Sequence, residues 1–83
     1  MSKEEIQIEL LRFVCRNFLI GEDEVEVDQS LVEQGIIDSF GLIEIAAFMK
    51  SKYGIATEES EMNAANFGSI VNMAEYIEGK VHA

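Results

Sequence analysis

Apolar residues recur at helical spacing in three stretches of the chain. In the first, Ile6, Leu10, Phe13, Val14 and Phe18 fall along one side of a 3.6-residue repeat. Ser2-Lys3-Glu4-Glu5, just before it, fits a capping box, in which Ser2 satisfies the amide of Glu5 and the Glu5 side chain returns to the amide of Ser2. The helix that starts there is predicted to stop before Gly21, placed to take the left-handed conformation after the last turn. In the second stretch Leu42, Ile45, Ala46, Met49 and Tyr53 form the core-facing stripe of a helix. It is predicted to begin at Asp38 or Ser39 and run to Tyr53, with Gly54 ending it. In the third, Ile70, Met73, Ala74 and Ile77 share a face, Ser69 is placed to cap, and Gly79 is predicted to stop the helix. A short additional turn is predicted near Met62 to Ala65.

Between the first two helices lies a long connection, residues 22–37. Val25-Glu26-Val27-Asp28 alternates as a strand does, yet no other segment alternates enough to pair with it. The connection therefore reads as a loop, pinned across the helices by Val25, Val27, Leu31, Ile36 and Ile37, since a long connection in a compact domain is packed or functional. The pattern predicts an all-α fold, a small bundle of three to four helices with a long first loop. At 83 residues the chain has room for one domain, spanning 1–83.

The second helix is more apolar than a surface helix requires. Phe40, Ile43 and Ala47 form a further stripe whose next member, Lys50, belongs in solvent. Flanked by Glu44, this stripe is either a docking surface for another protein or the face that the 22–37 loop covers. Gly41, in the first turn of the same helix, costs about 1 kcal/mol relative to alanine. It marks either close approach by a partner or substrate, or a turn that merely tolerates glycine.

Charge narrows the partners. The net charge is −10, and between Arg16 and Lys50 there are acids but no Lys or Arg. Such a field repels nucleic acid and anionic membranes and speeds encounter with basic protein surfaces. The acidic run at 22–28 lacks the glycine and ligand spacing of an EF-hand loop, so it reads as a solvated surface and no metal is expected. Cys15 is the one cysteine, which excludes a disulfide; with Phe13, Val14 and Phe18 around it, it reads as a packed thiol. The N-terminus carries no basic segment leading into an apolar run, and no apolar stretch approaches the ~20 residues of a membrane span. The expectation is a cytoplasmic protein without membrane insertion.

Ser39 is the residue with the most chemistry open to it. As part of Asp38-Ser39 before an apolar run it is, at minimum, part of a helix start. As a catalytic nucleophile it would need a general base, and the only histidine is His82, next to the C-terminal residue, with no G-x-S-x-G turn in the chain. A hydroxyl on the first turn of a helix does suit attachment of a phosphodiester, because the unpaired amides and the positive end of the helix dipole favour an anion. Asp38 adds a second negative charge there, which assigns it to recognition by a cationic or metal-bearing modifying enzyme.

These residues carry a resemblance. Gly35-Ile36-Ile37-Asp38-Ser39-Phe40, continuing through Gly41-Leu42-Ile43-Glu44-Ile45 to Tyr53-Gly54-Ile55, resembles the phosphopantetheine-attachment segment of the acyl, peptidyl and D-alanyl carrier proteins. Phe40 stands where those proteins carry Leu or Met. The likeness extends over nearly the whole chain, and Asn66-Phe67-Gly68-Ser69-Ile70 is closer to discrete aminoacyl or peptidyl carriers than to the fatty-acid type. The resemblance implies an acyl-carrier-protein-like fold and a 4'-phosphopantetheine arm, drawn from coenzyme A by a phosphopantetheinyl transferase and joined to Ser39. The arm's thiol would carry acyl or aminoacyl cargo as a thioester, so the chain would be a monomeric carrier without catalytic residues. Asp38, Phe40, Ile43 and Glu44 would be read by the transferase and by loading or accepting enzymes, with Ala47 on the same stripe. An acyl- or aminoacyl-adenylating ligase is the loading partner implied, since Lys50 and Lys52 neutralise the distal half of a helix that fatty-acid carriers keep acidic. Fatty-acid, polyketide and nonribosomal-peptide-like metabolism stay open. So does a helical adaptor without a prosthetic group, which differs in that coenzyme A and a transferase would leave its mass unchanged.

Overall fold

The computed structural model describes residues 2–81. Its element order is helix α1 (Lys3–Phe18), a 3-10 turn at Glu22–Glu24, α2 (Ser39–Tyr53), a second 3-10 turn at Glu59–Glu61, the short α3 (Ala64–Phe67) and α4 (Ile70–Val81). The expected all-α bundle with a long first loop is what the chain forms, with no strand among the described residues. α1 packs most extensively on α4, and α3 also leans on α4.

Each helix start follows from its capping residue. Ser2 accepts from the Glu5 amide at 3.2 Å, and the Glu5 carboxylate receives the Ser2 amide, so the predicted capping box forms. Ser69 Oγ accepts from the Asn72 amide at 3.1 Å at the head of α4. Asn63 caps α3 by accepting from the Asn66 amide at 3.0 Å, which puts this helix slightly later than the predicted Met62 to Ala65.

Two helix ends differ from expectation. The left-handed residue after α1 is Leu19, at φ 55°, and Gly21 is extended at φ −76°. With the turn at Leu19, the Ile20 amide reaches the Cys15 carbonyl at 3.2 Å and the Ile20 side chain packs on the core. Burying Ile20 offsets the cost of a left-handed non-glycine residue, about 1–2 kcal/mol. Gly79 does not stop α4, which runs on to Val81. Lys80 holds that last turn, pairing with Glu61 at 2.8 Å while its ammonium lies 5.6 Å from the centre of the Tyr76 ring.

The core joins Ile6, Leu10 and Val14 of α1, Ile45 and Met49 of α2, Phe67, and Ile70, Met73, Ala74 and Ile77 of α4. Val25, Leu31 and Ile37 of the first loop are buried in it, as expected. Backbone bonds tie that loop down: the Leu31 amide donates to the Gly68 carbonyl at 2.9 Å, and Val27 accepts from the Val71 amide at 3.0 Å.

Gly68 is itself constrained, because a Cβ there would run into the carbonyl oxygen of Ala64, which is backbone and cannot swing aside. Gly68→Ala is expected to cost about 1–3 kcal/mol in urea unfolding, as overpacking does. Gly79→Ala, where a Cβ meets nothing within 4 Å, is expected to gain about 0.5–1 kcal/mol in the same assay from helix propensity.

Candidate functional site

The head of α2 is positioned from below by the first loop and from one side by α1. Gly35 bends the loop at φ 75°, the Ile36 amide donates to the Leu31 carbonyl at 3.0 Å, and Ile37 is buried. Asp38 then takes extended backbone and caps the helix, its Oδ1 accepting from the Gly41 amide at 3.0 Å. Ser39 is the first helical residue.

Gly41 sets how the helix is turned about its axis. It is buried, and a Cβ on it would lie 2.9 Å from Ile37 Cβ and 3.2 Å from Phe18 Cζ. The close approach read from the sequence is therefore made by this chain's own loop and first helix, and not by a partner or substrate. Two residues is about 200° around a helix, so with Gly41 against the core Ser39 faces away from it, and Ser39 is exposed. The loop does not cover the second stripe: Phe40 is 73% and Ile43 58% exposed, and Ala47 and Lys50 are exposed with them. Asp38 and Glu44 are exposed beside this stripe. Together with Phe18 and Ile36, they border a shallow hollow next to Phe40.

On the inner side, Ile45 and Met49 are fully buried, whereas Leu42, Ala46 and Tyr53 are only half-buried. Leu42 packs against the core and also lines an apolar groove with Val32, Met62, Ala64 and Phe67. This groove opens one turn along α2 from Ser39. Sequence reading missed it, since its walls come from the first loop and from α3.

Burial pushes the Cys15 thiol up, and the nearby Glu22, Asp23 and Glu24 carboxylates push it further, so a reactive thiolate is disfavoured. His82 lies outside the described residues. Among the described residues no group of three or more His, Cys, Asp or Glu side chains is gathered to hold a metal ion, and no helix is long and apolar enough to cross a membrane.

The structure thus places a serine on the exposed head of a helix, an acid before it and an apolar stripe after it. The family model described as "phosphopantetheine attachment site" matches residues 9–77. The chain belongs to this family. Among curated relatives, it is 28% identical to the D-alanyl carrier protein of Abiotrophia defectiva over 80 residues, covering 96% of this chain and 98% of the relative. It is 32% identical to the acyl carrier protein of Rhodococcus erythropolis strain PR4 over 77 residues, covering 93% of this chain and 82% of the relative. As a member of the phosphopantetheine-attachment family the chain is a carrier and not an enzyme, with covalently attached 4'-phosphopantetheine as its prosthetic group. Family membership also brings a phosphopantetheinyl transferase and acyl-handling enzymes as partners.

Proposed function

We propose that Ser39 is the attachment point of the arm, and that the chain is a discrete carrier of acyl or aminoacyl groups loaded by an adenylating ligase in the cytoplasm. The observation that carries this reading is the placement of an exposed serine at the head of α2, turned outward by the buried Gly41.

The residues around Ser39 fit a phosphodiester-linked arm. The first amides of a helix have no intrahelical partner, and Asp38 takes up only that of Gly41. The positive end of the α2 dipole favours the phosphodiester anion. The apolar groove lined by Leu42, Val32 and Phe67 lies next to the attachment point and offers shelter to a flexible arm or its cargo. When bound, the group supplies a thiol that holds the cargo as a thioester. Within the transferase, Ser39 Oγ attacks the phosphorus that bears the pantetheine of coenzyme A: the new O–P bond forms as the pyrophosphate P–O bond breaks, adenosine 3',5'-bisphosphate leaves, and the hydroxyl proton passes to a base of the transferase. Asp38 remains the helix cap and, being exposed, also presents a carboxylate to that enzyme. Phe40, Ile43, Glu44 and Ala47 form the surface on which loading and accepting enzymes dock.

An aminoacyl or other specialised cargo is favoured by Lys50 and Lys52, which neutralise the distal half of α2, and by the relative named as a D-alanyl carrier, matched over nearly its whole length. Fatty-acid, polyketide or nonribosomal-peptide-like metabolism are the alternatives within the same class.

Incubating the purified chain with coenzyme A, magnesium and a broad-specificity phosphopantetheinyl transferase tests the reading by intact mass. A gain of one phosphopantetheinyl group is expected; an unchanged mass would favour a helical adaptor. Phe40→Ala is expected to slow modification and loading by about tenfold or more, as loss of an exposed interface anchor costs ~1–2 kcal/mol of binding. Its thermal unfolding should stay close to that of the parent. A large drop in its melting temperature would instead mean that Phe40 serves the core.

A further inference from the structure

Along the side of α2 that faces α1 the surface changes sign. Of the six Lys and Arg residues in a chain with 16 acids, three, Arg12, Arg16 and Lys52, line one groove between α1 and α2. The groove exists because α1 and α2 make few close backbone approaches, and long side chains span the gap. Its floor is the stacked pair Phe13 and Phe48, with ring centres 4.2 Å apart and planes inclined at 25°. The one acid in its lining, Glu9, is already engaged, accepting from the Tyr53 hydroxyl and pairing with Lys52 at 3.5 Å. Arg12 and Arg16, one helical turn apart, repel each other, and neither makes an ion pair among the described residues. In so acidic a chain, two neighbouring guanidinium groups without a carboxylate are a surface waiting for anions from elsewhere.

We propose that this basic, aromatic-floored groove is a second docking surface, and that its occupant is an acidic segment of a partner protein carrying an apolar side chain between its carboxylates. The carboxylates pair with Arg12, Arg16 and Lys52, and the apolar side chain lies on the two phenyl rings. A protein segment fits better than a free small molecule: the groove encloses about 220 Å³ and is open to solvent, whereas small-molecule sites usually enclose ~300–1,000 Å³. The rest of the chain carries only Lys3, Lys50 and Lys80 against an excess of acids, so its field on balance repels an acidic partner and favours this groove as the contact. Phe48 lies about 13 Å along α2 from Ser39 and about 80° around the helix from Phe40, so the groove and the Phe40 stripe are different faces of one helix.

The test needs no prosthetic arm, so its outcome is separate from that of the attachment at Ser39. The isotope-labelled, unmodified full chain is titrated with a synthetic peptide of alternating glutamate and leucine, followed by amide chemical shifts. Parallel titrations use a lysine–leucine peptide and inorganic phosphate. Shifts are expected to be saturable and confined to residues 9–16 and 48–53, with affinity falling about tenfold or more from low to physiological salt, as screening of exposed charges requires. Arg12→Glu/Arg16→Glu, and the milder Arg12→Gln/Arg16→Gln, should abolish them while leaving the rest of the spectrum unchanged. Binding that survives both variants, scattered shifts, or equal binding of the lysine peptide would overturn the proposal. So would phosphate saturating the groove as tightly as the peptide, which would make it a site for small anions. Concentration-dependent dimerisation lost in the arginine variants would name a second copy of this chain as the occupant and overturn it as well.

Discussion

Ser39→Ala is expected to fold as the parent does and to acquire no phosphopantetheine at any transferase concentration. The effect on modification is all-or-none, because the substitution removes the oxygen that forms the new bond. The effect on stability is small, within about 0.5 kcal/mol, because Ser39 is exposed and the helix is capped by Asp38 and not by Ser39. Ser51→Ala, on the same helix and also exposed, serves as the control and should be modified at the parental rate. Intact mass after reaction, with circular dichroism on the same samples, separates the two effects. Modification of the Ser39→Ala variant would move the attachment point to another hydroxyl.

The largest expected effect on stability lies on the opposite side of the same helix. Met49 is fully buried in the core, and truncating such a side chain to alanine costs about 2–5 kcal/mol from lost transfer energy and the cavity left behind. For a chain of this length the whole folding free energy is on the order of 4–12 kcal/mol. Met49→Ala is therefore expected to lower the melting temperature by roughly 8 °C or more, at ~4–8 °C per kcal/mol for a domain of this size. Ile45→Ala, at an equally buried position, should behave alike. Thermal unfolding of either variant within a few degrees of the parent would contradict the assignment of this face to the core.

Both expectations rest on the orientation of α2, much of which was legible in the sequence. Asp38 and Gly54 mark its ends by capping chemistry, and the Ile45–Met49 spacing marks its inner face. Local signals of this kind survive because the groups that satisfy them lie within a few residues. What was illegible came from elsewhere in the fold. The reason for Gly41 is Phe18 and Ile37, which only packing brings together. Leu42 borders a groove because the first loop and α3 stop short of it, and Phe48 was left unassigned because its partner Phe13 sits on another helix. Glycine misled at both ends of the chain. The left-handed turn fell at Leu19 so that Ile20 could pack, and α4 ran through Gly79 because Lys80 is held by Glu61. Glycine permits a helix to stop, and it takes tertiary contacts to decide whether it does. Ser39, Asp38, Phe40, Ile43, Glu44 and Ala47, the residues singled out from the sequence, are all exposed around the head and outer face of α2. Of the basic groove only Lys52 drew notice in the sequence, since the arginines that complete it belong to α1.

The most direct test of the central claim is fragmentation mass spectrometry on the protein isolated from its own cell, with the modified residue located in the sequence. The account predicts a single phosphopantetheinyl group on Ser39, with or without a cargo on its thiol. Native protein that is uniformly unmodified, or that carries the group on a different residue, would contradict it.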